Sequence, residues 1–326
     1  MTNAIRIACA FLLVSPKLAG AETPRNDVGQ NCELQMESDD DPIPFQSRGG
    51  FLIVVDGKLG PLSGLKFALD TGTTHSVLDV KLADKLSLPH QSATVLNFDR
   101  RLKVGLSNVP ELQIGALRVR NLRVIVAALG DSPKFADGID GVIGLDVIHL
   151  CRSVRIDFNE KRLVCRSGHT VDMAQPDKSQ AVGVRLDVQG QKLLLILDTG
   201  VNDIVLFKDR IQKKVPRLKL GKRDAGREGW LVGEFALLQG IRVGLEESQA
   251  YVFLIQKAPQ SLPADIDGFL GVRALNFPSV ELNFETPGVS FIGTKTATLA
   301  LNGAKTLSDM KIPNEPKSSK QEKKLR

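Results

Sequence analysis

A chain of 326 residues with 42% hydrophobic and 25% charged side chains can bury two modest cores, which excludes a disordered protein. Its formal charge of +6 sits at the ends: residues 303–326 carry +4 and the first 21 residues +2, leaving 22–302 near neutrality. No basic groove remains for nucleic acid, and with one tryptophan and one tyrosine the core must rest on Leu, Ile, Val and Phe.

The first 21 residues read as a secretory signal peptide: Arg6 precedes the apolar run IACAFLLV, and Ala19-Gly20-Ala21 offers a small-residue cleavage site. Eight apolar residues are too few to span a bilayer, so no stable membrane insertion is expected and the mature chain should be exported, periplasmic or secreted. Residues 22–43, with Glu37, Asp39, Asp40 and Asp41 clustered, read as an acidic linker or pro-segment with no element of their own. Over 44–165, short apolar runs such as FLIVV and LRVIVA alternate with Gly, Pro, Asn and Asp, the pattern of strands joined by turns. Short helices are expected near 77–86 and 144–150. The segment between Cys151 and Cys165 reads as a hairpin turning near Asn159 and Glu160. It leaves open a bridge between those cysteines or a pair of buried thiols, with Cys32 as a third. Residues 166–181 form a polar inter-lobe linker. Over 182–302 the strand pattern returns with LLLIL and AYVFLI, plus a short helix near 205–214. The lysine-rich tail 303–326 reads as disordered.

Internal repetition organises these segments. LKFALDTGTTHSVL at 65–78 matches LLLILDTGVNDIVL at 193–206, and IDGVIGLDVI at 139–148 matches IDGFLGVRAL at 266–275. Asp70 and Asp198 lie 128 residues apart, and Asp140 and Asp267 lie 127 apart. Each half also closes alike, with SVRIDFNEKRLVC at 153–165 and SVELNFETPGVSFI at 279–292. The pattern is that of a duplicated, mostly antiparallel β domain with short helices.

A strand that delivers an aspartate into a tight turn exposes the carboxylate on a rigid platform, and two facing platforms bring two carboxylates together. Like charges at contact distance cannot both ionise cheaply, so such a pair keeps one proton and offers an acid and a base at one point. The ionised member can take a proton from a bridging water as it attacks an amide carbonyl, while the protonated member bonds the carbonyl oxygen.

The paired motifs, LDTG with VIG at 142–144 and LDTG with FLG at 269–271, resemble those of the retropepsin and pepsin superfamily of aspartic peptidases over roughly 44–293. That resemblance implies an all-β fold of two homologous retropepsin-like β-barrel lobes with the active site between them. It implies an aspartic endopeptidase that needs no cofactor, with Asp70 and Asp198 as the catalytic pair. Thr71 and Thr199 would bond across the lobe interface, Gly72 and Gly200 would keep the turns tight, and Gly144 and Gly271 would let the second motif pack on the first. Duplication would replace dimerisation, so a monomer is expected, acting on a polypeptide in extended conformation. The residue after Asp-Thr-Gly is usually Ser, Thr or Ala in the family; Thr73 fits and Val201 does not. The expected first-lobe flap, 96–113, has no tyrosine, which leaves Gly105, or Gly226 and Gly229 beside Trp230, as flap candidates.

Asp140 and Asp267 read as turn residues bonded to their own backbone rather than as a second acid pair. His75, His90, His149 and His169 lack ligand spacing, so no metal is expected. The competing function is a catalytically silent peptide-binding or assembly module on the same fold, with an inhibitor or decoy of a related enzyme as a third.

Overall fold

The computed structural model describes residues 33–36, 41–97, 99–130, 138–167, 181–215, 218–221, 223–228, 231–243, 246–286, 288–293 and 297–300. The expected signal segment, the tail 303–326, Cys32 and most of the expected linker 166–181 lie outside them.

Strands β1 (Glu33–Met36), β2 (Ile43–Arg48), β3 (Leu52–Leu59), β4 (Leu62–Leu69) and β5 (Val77–Asp79) lead into helix α1 (Val80–Lys85). A meander of β6 (Gln91–Asn97), β7 (Arg100–Ile114) and β8 (Leu117–Ala127) follows. Then come β9 (Gly141–Ile143), helix α2 (Leu145–Ile148), β10 (Cys151–Asp157) and β11 (Arg162–Ser167). The second half runs through β12 (Gly183–Val188), β13 (Gln191–Asp198), β14 (Ile204–Phe207) and helix α3 (Lys208–Lys214). It continues with β15 (Asp224–Glu228), β16 (Leu231–Val243), β17 (Glu246–Ile255) and β18 (Gly268–Gly271). It closes with β19 (Ser279–Asn283), β20 (Gly288–Ile292) and β21 (Ala297–Ala300).

The apolar runs become strands because each finds partners on both edges. In the first half β4 runs parallel to β9, pairing Phe67 with Gly141 and Leu69 with Ile143, while β5 lies antiparallel on the other side of β9. In the second, β13 runs parallel to β18, pairing Leu195 with Gly268 and Asp198 with Gly271, and β14 lies antiparallel on β18. Both Asp-Thr-Gly turns therefore leave the end of a strand that the later glycine motif flanks. The expected helices over 77–86 and 205–214 start later than their sequences suggest. Val77–Asp79 and Ile204–Phe207 are drawn into the sheets, and α1 begins only where Asp79 caps it by accepting from Lys81 N at 2.9 Å. Residues 22–43 were expected to be featureless, yet Glu33–Met36 pairs with β8 as β1.

The closing hairpins of the two halves meet each other. β10 pairs antiparallel with β19, Ser153 opposite Asn283, Arg155 opposite Glu281 and Asp157 opposite Ser279. Because 153 corresponds to 279 and 157 to 283 in the sequence repeat, this register maps onto itself when the halves are exchanged. The contact is that of a twofold dimer, centred on an opposite-charge pair. A disulfide between Cys151 and Cys165, with Cα atoms 5.4 Å apart, ties β10 to β11 on this shared sheet. The largest apolar cluster takes Phe67, Leu145 and Ile156 from one half and Leu195, Leu270 and Phe291 from the other. Two smaller clusters belong to one half each, around Phe51 and Ile125 and around Phe207 and Phe269.

Candidate active site

Two turns of the same construction meet between the halves. Gly72 N donates to Asp70 Oδ1 at 3.0 Å and Gly200 N to Asp198 Oδ1 at 2.6 Å. Thr73 N and Val201 N close the turns on Asp70 O and Asp198 O at 3.3 and 3.4 Å. The threonines then cross. Thr71 N donates to Thr199 Oγ1 at 2.9 Å and Thr199 N to Thr71 Oγ1 at 3.0 Å. Thr71 Oγ1 donates to Leu197 O at 2.9 Å, and Thr199 Oγ1 to Leu69 O at 2.8 Å. Each hydroxyl thus both accepts from and donates to the strand end of the opposite half. All of these bonds are buried, where an unpaired polar group would be costly.

The crossing brings the acids together. A Cβ on Gly72 would overlap the Asp198 carboxylate, so only glycine at 72 lets that carboxylate reach the turn holding Asp70. Asp70 and Asp198 are each 1% exposed.

Behind the turns the halves differ. Gly144 N donates to Ser76 Oγ at 3.1 Å, and Ser76 gives its N and Oγ to the Asp146 carboxylate at 2.8 and 2.7 Å. In the second half Gly271 N meets the backbone oxygen of Asp203 at 3.1 Å. Neither Gly144 nor Gly271 has room for a side chain: a Cβ would lie 2.6 Å from His75 C and 2.5 Å from Val201 O respectively. Burial pushes the Asp146 carboxyl up to about 6 despite the opposing bonds from Ser76. Burial also raises Asp203 to about 6, against a bond from Asn202, and its Oδ2 is buried without a hydrogen-bond partner. Sequence reasoning missed Ser76, Asp146 and Asp203 as parts of this surround. Their partners lie about 70 residues away or on the backbone, and the repeat replaces Ser76 with Ile204 and Asp146 with Arg273.

Several expectations change form. Asp140 and Asp267 are not bonded to their own turns; each carboxylate reaches across to the strand that ends in the motif, accepting from Lys66 N at 2.7 Å and from Leu194 N at 2.8 Å. Asp267, fully buried, also takes Lys214 Nζ at 2.6 Å. Val201 packs in the apolar cluster with Ile196 and Phe269, which explains valine there. Gly105 is no flap tip: it lies mid-strand in β7 opposite Ser92 and Val126, with the His90 ring against it. Gly226 lies in β15 opposite Gly233, while Gly229 and Trp230 lie outside the described residues. Among the described residues no cluster of three His, Cys, Asp or Glu side chains could hold a metal ion.

The family model described as aspartyl protease matches residues 55–147, the span from β3 through the first Asp-Thr-Gly turn to α2. The first half is of the aspartyl-protease kind. Among solved structures, the crystal structure of a retropepsin-like aspartic protease from Rickettsia conorii is 19% identical over 39% of this chain and 93% of that one, with a TM-score of 0.28. The arrangement of the halves rests on the β10–β19 pairing and the exchange between Thr71 and Thr199. No curated protein matches the chain.

Proposed function

We propose that this aspartyl-protease-type chain is a single-chain endopeptidase that cleaves polypeptides with a water held between Asp70 and Asp198. The observation that carries the reading is the meeting of the two motif turns, with the Asp198 carboxylate against Gly72 and the threonines bonded reciprocally across the halves. One carboxylate takes a proton from the water as it attacks the scissile carbonyl. The other, carrying a proton, bonds the carbonyl oxygen and then supplies the leaving amine. Gly72 N and Gly200 N each fix one carboxylate oxygen, and no metal or cofactor is required by this scheme. Thr71, Thr199, Gly72, Gly200, Thr73, Gly144 and Gly271 act by holding the acids in register, since a displacement of about 1 Å costs on the order of 100-fold in rate.

The substrate is an extended segment that pairs its backbone with strand edges beside the cleft. The register of β10 on β19, which repeats on exchanging the halves, supports descent from a duplicated lobe and action as a monomer. The Cys151–Cys165 disulfide and the Arg6-IACAFLLV start together support export to an oxidising compartment. Among the described residues no helix is long and apolar enough to cross a membrane.

The test is digestion of a diverse peptide pool read by mass spectrometry, with and without a pepstatin-type inhibitor. Wild type should cleave and be inhibited, and Asp70→Asn and Asp198→Asn should each be inactive with an unchanged circular dichroism spectrum. Near wild-type turnover in either mutant would remove that aspartate from the reaction.

A further inference from the structure

The two halves differ along one edge of their sheets. In the first, β5 pairs with β8 only at Ile125–Ala127, and β1 covers the rest of that edge, antiparallel, at Leu117–Arg120. In the second, β14 pairs with β17 only at Val252–Ile255. Among the described residues no strand lies along the same edge at Glu246–Gln249. The two places are equivalent: Leu117 stands opposite Ile114 and Val119 opposite Leu112, as Glu246 stands opposite Val243 and Ser248 opposite Ile241. An open strand edge presents unpaired N–H and C=O groups and accepts a further strand.

What covers the first edge indicates what the second can take. Leu34 and Met36 of β1 stand opposite Val119 and Leu117, both in the core, while Glu33 and Gln35 stand opposite Arg120 and Arg118. In the second half the charge is reversed, with Glu247 in the place of Arg118, and both Glu247 and Gln249 are exposed. Residues 303–326, outside the described residues, carry +4 and follow β21, which packs against β16, the neighbour of β17. Within them Asp309-Met310-Lys311-Ile312 repeats the acidic, apolar, polar, apolar order of Glu33-Leu34-Gln35-Met36. In the register of β1 on β8, Lys311 falls opposite Glu247, an opposite-charge pairing like that of Glu33 with Arg120. Asp309 follows Ala300, the last described residue, by nine positions. That length reaches about 30 Å, several strand spacings of about 4.8 Å.

We propose that the edge of β17 at Glu246–Gln249 is a docking site for this chain's own Asp309–Ile312, added as an antiparallel strand with Lys311 against Glu247. Docking closes the second half as β1 closes the first, and keeps the edge from pairing with other chains. The proposal does not depend on the peptidase reading.

Hydrogen–deuterium exchange read by mass spectrometry tests it, in the Asp198→Asn background to prevent self-cleavage. Removing residues 303–326 should speed exchange across Glu246–Gln249 about tenfold and leave Leu117–Arg120 unchanged. Lys311→Glu should speed it about threefold, and Lys311→Glu combined with Glu247→Lys should restore the original rate. The protection should persist on tenfold dilution, with a monomer in sedimentation. Equal exchange with and without residues 303–326, or a charge exchange that restores nothing, would overturn the docking. Protection that fades on dilution together with a sedimenting dimer would also overturn it, and would assign the edge to a second copy of the chain.

Discussion

In the first half, the glycine that ends the second motif is held by side chains: Gly144 N meets Ser76 Oγ, and Ser76 is held in turn by Asp146. In the second half the equivalent amide, Gly271 N, meets a backbone oxygen, and the residue matching Asp146 is Arg273. That arginine turns away to lie over the Phe158 ring of the first half at 4.5 Å and to donate to Phe277 O. Where the two Asp-Thr-Gly turns cross, by contrast, the two copies are alike bond for bond. A bond between the halves needs both copies at once, so Thr71 and Thr199 are constrained together. The brace behind each turn serves one half only, and either a side chain or the backbone can fill it.

The sharpest way to break the likeness at the contact is Gly72→Ala. Its methyl group would displace the Asp198 carboxylate, and kcat should fall by about 100-fold or more on a fluorogenic peptide while the fold persists. Next, Thr71→Val and Thr199→Val should be equally harmful, each lowering stability by about 1–3 kcal/mol in chemical denaturation, because each hydroxyl both donates and accepts across the interface. Unequal losses would show that the exchange of bonds is not reciprocal.

The difference behind the turns should appear in the pH dependence of stability. Asp203 titrates near 6 in the folded chain against an ordinary 3.8, so the fold binds its proton more tightly than the unfolded chain does. Its contribution is full below the ordinary value and is lost as pH rises through the folded value; Asp146 follows the same sign. Asp203→Asn removes a carboxylate whose Oδ2 has no partner, so it should raise the thermal midpoint above pH 6 and leave it nearly unchanged at pH 4. Asp146→Asn should flatten the same slope without that gain, since the bonds from Ser76 weaken. The smallest effect belongs to Val201→Thr. A hydroxyl facing Ile196 and Phe269 should cost about 1 kcal/mol of stability and leave the pH profile of kcat/KM where it was. A shifted profile would mean that residue 201 reaches the acids after all.

The repeated LDTG and IDG segments, their equal spacing and the run of short apolar stretches were enough to derive a mostly β chain in two related halves, with candidate acids at Asp70 and Asp198. Those features are legible because strand patterning is local and a repeat can be read without knowing any contact. Where each strand begins was less so: Val77–Asp79 and Ile204–Phe207 have neighbours that suit helices, and only pairing with distant strands extends them. Cys151 and Cys165 could be placed in one hairpin from sequence, but bridge or thiols depended on how far apart that hairpin holds their Cα atoms.

Other contacts between distant residues were not legible in the sequence. Ser76 with Asp146, the Asp140 carboxylate on Lys66 N and Asp99 on Gln260 N all follow from the folded path of the chain. Residue types alone therefore determined which groups could do the chemistry and that there should be two matching platforms. The tertiary structure decided which bonds the platforms exchange and what braces each from behind, because hydrogen bonds act over about 3 Å and only the fold brings such distant residues that close.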